Sequence, residues 1–150
     1  MIEPQNNQNI ISRNFRYLLL TTAIITFLLI VIGIILRVTG TGSACPDWPT
    51  CYRDWRAPAS TTTLIPYLHR AVAMISSVLL VIASIWALWH YRKLSYVVRP
   101  LLIGLSLLAV QITLGLVIVK LESSPIITAT HLGLSLLVEA PILVSLVASL

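Results

Sequence analysis

Four long apolar runs constrain this chain more than any other feature. Tyr17 to Leu36 carries no charged residue. Leu64 to Trp89 is a second run, interrupted near its start by His69 and Arg70. Pro100 to Val119 is a third, opened by a proline where a helix start tolerates one. Pro125 to Leu150 is the fourth and contains His131 and Glu139. A helix that crosses a bilayer needs about 20 largely apolar residues. Each run therefore predicts one membrane-spanning helix, and the fold class expected is an all-α, four-helix transmembrane bundle. The remainder is an arm at 1–16, a loop at 37–63 rich in Gly, Pro, Trp and Thr, and short turns at 90–99 and 120–124. These segments leave no room for a separate soluble catalytic domain. Any chemistry belongs to the 17–150 bundle or to its surface.

Composition excludes the other broad classes. Only 10% of the 150 residues are charged and 57% are hydrophobic, whereas soluble domains carry about 25% charged residues. Disorder is excluded by the same numbers. The net charge of +5 would suit a nucleic-acid binder in a soluble protein. In a membrane protein it reflects topology instead, so the partner expected is the lipid bilayer and not nucleic acid.

The first run is longer than the apolar core of a signal peptide, which covers about 7–15 residues. Gly42-Ser43-Ala44-Cys45 resembles a lipoprotein cleavage box but lacks its aliphatic start. A retained first helix is expected. Arg13, Arg16, Arg92, Lys93 and Arg99 lie at one end of the four runs, and Arg37, Arg53, Arg56 and Lys120 at the other. Five against four is a slight positive-inside bias toward a cytoplasmic arm. Cys45 and Cys51 share the 37–63 loop, and a disulfide there would persist only in an oxidising compartment. Both arguments put the loop outside and both termini in the cytoplasm.

The chain also reads as a weak internal repeat of two helical hairpins. In each, the returning helix carries a histidine near its outer end, His69 or His131, and a serine further along. Ionisable groups inside a span are costly and by default mark function. Two histidines at similar depth on different helices suit one haem iron held from both sides. The plainer reading is that each imidazole bonds to a carbonyl or a polar neighbour. A zinc site would need three or four ligands, and no further ligand is spaced to help. Arg70 and Arg37 lie near the same level, where a guanidinium either matches a haem propionate or snorkels to headgroups.

Five residues separate Cys45 from Cys51, and the two prolines between them favour a turn. A disulfide across it is feasible, as a structural staple or as a reducible pair. Trp48 and Trp55 suit an interfacial anchor. Gln111 reads as interhelical glue. Glu139 follows His131 by eight residues (139 minus 131), about two turns deeper and loosely on its face. It is a candidate for proton handling or for packing.

These residues carry a resemblance. Arg37 to Ser43 (RVTGTGS) and Cys45 to Cys51 (CPDWPTC) closely resemble the first outer loop of prokaryotic haem A synthases. Tyr67-Leu68-His69-Arg70 is similar to the segment opening that family's second helix. Gln111 to Gly115 and Thr130 to Gly133 resemble its third and fourth. The resemblance implies one four-helix half of an internally duplicated fold, of the N-terminal type. It implies His69 and His131 as haem ligands, a Cys45–Cys51 disulfide, and haem b as cofactor with haem O as substrate. It implies oxidation of the C8 methyl of haem O to the formyl of haem A, for cytochrome oxidase assembly in a prokaryotic cell membrane. A haem O synthase and an electron donor are then expected partners, together with a second four-helix half or a second copy of the chain. The sequence departs from the family at Pro66, where a glutamate usually precedes the first histidine by three residues, leaving Glu139 as the candidate catalytic carboxylate. The functional expectation is a haem A synthase-like oxidoreductase. Its rival is a bis-histidine, cytochrome b-type electron carrier without chemistry on the haem. A haem-free structural or assembly subunit is a third reading.

Overall fold

A computed structural model describes residues 11–121 and 124–150. Residues 1–10 of the expected arm, and Glu122 and Ser123 of the last turn, lie outside the described residues. The described residues form four helices: α1 (Arg13–Thr39), α2 (Thr61–His90), α3 (Ser95–Leu121) and α4 (Pro125–Ser149), with a 3₁₀ turn at Thr41–Ala44. Each is long and apolar enough to cross a membrane. The fold class is therefore all-α, and each apolar run lies within one helix except for Leu150, the cap residue of α4.

The helices run past the apolar runs because backbone groups keep their internal bonds beyond the hydrocarbon as well as within it. Ser12 starts α1 by accepting a 3.3 Å bond from the Phe15 amide on its hydroxyl. Gly40 ends it at φ 66°, the left-handed conformation that glycine adopts without steric cost. The start of α3 differs from expectation. Its first residue is Ser95, so Pro100 lies inside the helix rather than at its opening. A proline there removes the N–H that would reach Tyr96 and crowds the carbonyls one turn earlier. Ser145 of α4 donates its hydroxyl to the Val97 carbonyl at 3.0 Å, supporting that weakened turn. Pro66 and Pro141 likewise sit inside α2 and α4. Against Pro141, α3 has Gly104: a β-carbon there would lie 3.3 Å from the Pro141 ring.

The helices pack in a ring. α1 lies against α2 and α4, and α3 against α4 and α2. Hence α2 and α4, the two histidine-bearing helices, stand across the diagonal. The tight core lies at the end away from the 37–63 loop. It joins Phe15, Leu19 and Ala23 of α1 to Leu80, Ala83 and Ala87 of α2, with Val97 and Leu101 of α3 and Val138 and Ile142 of α4. Phe15 stacks against Tyr91 and Trp86 at 4.9 and 5.8 Å. The Tyr91 hydroxyl accepts from the Ser12 amide at 3.0 Å, tying the start of α1 to the end of α2. Nearer the loop the contacts turn polar. Thr26 and Ser76 share a 2.7 Å hydrogen bond between α1 and α2.

Candidate functional site

His69 lies eight residues (69 minus 61) into α2, and His131 six residues (131 minus 125) into α4. At 1.5 Å per residue these depths are about 12 and about 9 Å from the helix starts. α2 opens before the apolar run does, so His69 is more than two turns deep. Both histidines are half-buried at the loop end of the bundle.

Each imidazole packs on a glycine of its hairpin partner. A β-carbon on Gly33 of α1 would stand 3.3 Å from His69 Cε1 and 3.7 Å from Nδ1. A β-carbon on Gly115 of α3 would stand 3.6 Å from His131 Cε1. Gly33 precedes the end of α1 by six residues (39 minus 33), and Gly115 precedes the end of α3 by six (121 minus 115). Both hairpins thus repeat one device at one depth: a glycine on the outgoing helix under a histidine on the returning one. Sequence reading missed these glycines. The available signal was a glycine inside a helical run, which costs about 1 kcal/mol against alanine and so calls for a packing reason.

Nδ1 of both histidines is buried without a hydrogen-bond partner among the described residues. This is not the plainer expectation, in which each imidazole bonds to a carbonyl or a polar neighbour. Buried polar atoms rarely stay unpaired without cause. Gln111 of α3 donates its amide to the His131 carbonyl at 3.0 Å, joining α3 to α4. Its Oε1 is buried with no hydrogen-bond partner among the described residues.

The two arginines differ. Arg37 is exposed on the last turn of α1. It follows Gly33 by four residues, which places it one turn away on the same face. Arg70 is half-buried and holds the loop. Its Nη1 donates to the Asp47 carbonyl and, at 2.6 Å, to that of Thr50, and its Nη2 donates to the Cys45 carbonyl at 2.8 Å. Neither of the roles weighed from sequence, propionate partner or headgroup contact, included this one.

The loop itself is stapled. Cys45 and Cys51 are disulfide-bonded, with Cα atoms 4.9 Å apart, and both are buried. Cys45 Sγ lies 3.6 Å from the Thr63 carbonyl of α2. The chain reverses after Cys51 through Tyr52 and Arg53 at φ 53° and 56°, so that the Asp54 amide returns to the Cys51 carbonyl at 3.0 Å. Tyr67 donates its hydroxyl to the Trp55 carbonyl at 2.8 Å. Asp54 is held below the ordinary carboxylate range by the Arg56 amide and then by its guanidinium. Trp48 and Trp55 are exposed.

Glu139 is not brought to the histidines by a shared turn. It lies about 12 Å further along α4 than His131, among the Val138 and Ile142 core, buried, with Oε2 unpartnered among the described residues. Pro66 is buried on α2, one turn before His69. Among the described residues, His, Cys, Asp and Glu form no cluster of three or more that would hold a metal ion. Two imidazoles thus stand on diagonal helices at the loop end of the bundle, each bedded on a glycine and each with an Nδ1 that has no partner among the described residues.

Comparison with known proteins bears on that geometry. The model of a family described as cytochrome oxidase assembly protein (COX15-CtaA) matches residues 16–149. A heme A synthase of Geobacillus kaustophilus is 28% identical over 108 residues, covering 72% of this chain and 34% of that protein. A heme A synthase of Listeria welshimeri is 31% identical over 114 residues, 73% of this chain and 37% of the relative. A protoheme IX farnesyltransferase of Halobacterium salinarum is 28% identical over 132 residues, 88% of this chain and 28% of the relative. The chain thus spans about a third of the length of the curated relatives it matches.

Proposed function

The chain belongs to the cytochrome oxidase assembly protein (COX15-CtaA) family, and from that premise we propose that it is a haem A synthase-like membrane oxidoreductase acting on haem O. The relatives' names, heme A synthase and protoheme IX farnesyltransferase, all concern a haem. The observation that carries the reading is the His69 and His131 pair, on diagonal helices, each ring packed on a glycine with its Nδ1 unpartnered.

In this reading His69 and His131 hold the iron of a haem, either haem b as cofactor or haem O as substrate. When bound, the haem would supply the redox chemistry for oxidising the C8 methyl of haem O to the formyl of haem A. Gly33 and Gly115 let the two imidazoles lie against helix backbone, which fixes their orientation. Gln111 steadies α4 at His131 through its carbonyl bond. Arg37, on the face of Gly33 and one turn toward the loop, receives a propionate, since guanidinium matches carboxylate geometry. Arg70 instead holds the stapled loop over this end of the bundle, which limits access of water. An electron donor and a haem O synthase act as partners, and a second four-helix half or a second copy completes the unit. The protein is multi-pass in a prokaryotic cell membrane. Its arm is cytoplasmic and its disulfide loop lies outside, where an oxidised cystine persists.

A second reading is a bis-histidine, cytochrome b-type electron carrier. Pro66 favours it, standing where the resemblance leads one to expect a glutamate. The distance of Glu139 from the histidine level favours it too.

The test is to purify the full chain in detergent from cells that make haem O, record its visible spectrum, and identify the extracted haem by chromatography and mass. Haem A or a hydroxylated haem O supports the synthase. Haem b alone, with a reversible potential, supports the carrier. A colourless protein overturns both.

A further inference from the structure

Three main-chain carbonyls of one short segment converge on Arg70: those of Cys45, Asp47 and Thr50. They converge because the segment is a closed ring. Cys45 and Cys51 are six positions apart in sequence, yet their Cα atoms are 4.9 Å apart. Unclosed, a stretch of that length can extend to about 20 Å, and its carbonyls would no longer meet at one point. Arg70 therefore binds a surface that the disulfide creates. Tyr67, three residues earlier on α2, holds the other side of the loop through the Trp55 carbonyl. His69 lies between these two anchors in sequence and packs on Gly33 of α1.

We propose that Arg70 is a positioning residue that transmits the state of the cystine loop to His69. The closed loop fixes the loop end of α2 and thereby the placement of the His69 imidazole on Gly33. A dithiol reductant opens the loop by thiol–disulfide exchange. Its first thiolate attacks one cystine sulfur and expels the other as a thiolate, and its second thiol then attacks the reductant's sulfur in that mixed disulfide and releases the remaining cysteine. The products are two cysteine thiols, which carry the two protons, and the cyclic disulfide of the reductant. Opening disperses the carbonyls and leaves a half-buried guanidinium without its acceptors. Such a charge is costly, so the end of α2 shifts to solvate it and His69 moves with it.

The spectroscopic half of this proposal rests on the reading of His69 as a haem ligand, whereas the loop half does not. The experiment treats the full chain with dithiothreitol and follows two signals: thiol appearance by mass-tagging, and the low-spin haem spectrum with its midpoint potential. Arg70→Gln is expected to speed cystine reduction at least about tenfold, the scale of losing charge-assisted hydrogen bonds. Arg70→Lys is expected to restore part of the protection, because an ammonium serves the same carbonyls without the planar fork. Reduction of the wild type is expected to shift the haem signature and potential, and Arg70→Gln to show that shift before reduction. Reduction of Arg70→Gln within twofold of the wild-type rate overturns the proposal. So does an unchanged haem signature in the reduced wild type, which requires no variant to fold. If the chain holds no haem, the same comparison is made on the His69 imidazole by nitrogen-15 NMR. A missing haem then sinks the functional reading alone, and an unmoved imidazole sinks this one.

Discussion

At Gly33 the room for a side chain is smaller than at Gly115: a β-carbon meets the imidazole at 3.3 Å in the first case and 3.6 Å in the second. The first contact requires the ring to give way, while the second is ordinary van der Waals distance. Gly33→Val is therefore expected to lower haem retention at least about tenfold through overpacking, and Gly115→Ala to leave it near wild type, both read as haem per protein after purification. The ligand assignment has a harder test. His69→Ala and His131→Ala are each expected to abolish the low-spin spectrum, and an unchanged spectrum in both would remove the pair from the iron. The histidines were legible from sequence because a titratable group inside an apolar run stands out at once. The glycines under them were not, because what makes each necessary is a ring contributed by another helix.

Among the elements, α3 and α4 meet where a proline of one faces a glycine of the other. Gly104→Val drives a branched side chain toward the Pro141 ring at 3.3 Å and is expected to cost about 1–3 kcal/mol. Ser145→Ala removes the donor on the Val97 carbonyl and is expected to cost about 0.5–1.5 kcal/mol. Both are read from thermal unfolding in detergent, and they should combine with less than full additivity because they lie on one interface. A Ser145→Ala variant as stable as wild type would show that the Pro100 turn is supported elsewhere. Helix existence was legible in the apolar runs, but the start of α3 was not. Pro100 suits a first helical position so well that it reads as one. The structure instead has α3 begin five residues earlier (100 minus 95), with the interior proline tolerated because a neighbouring helix supports its turn.

For the molecule as a whole, the ring of helices puts the apolar core at one end and the two histidines at the other. The stapled loop and the two histidines share an end, so the orientation of the loop decides the orientation of the site. Ala57 in the loop and Lys93 in the opposite turn are both exposed. In intact cells, Ala57→Cys is expected to react with a membrane-impermeant thiol reagent and Lys93→Cys to stay unlabelled. The reverse pattern would turn the molecule over and place the cystine in a reducing compartment.

The number of helices, their length and apolar character, and the presence of two histidines within them follow from the sequence by itself. Each depends on local content: about 20 apolar residues satisfy a bilayer, and a charge-bearing group within them is conspicuous wherever the chain goes. The tertiary structure alone decided which helices are diagonal, which glycine lies under which imidazole, and that Arg70 clasps the loop while Arg37 stays exposed. These are relations between residues far apart in the chain: Gly33 with His69, Arg70 with Cys45 and Thr50, Val97 with Ser145. No local pattern encodes them, because each partner satisfies its own helix or turn equally well without the other, and only packing the elements together makes the pair.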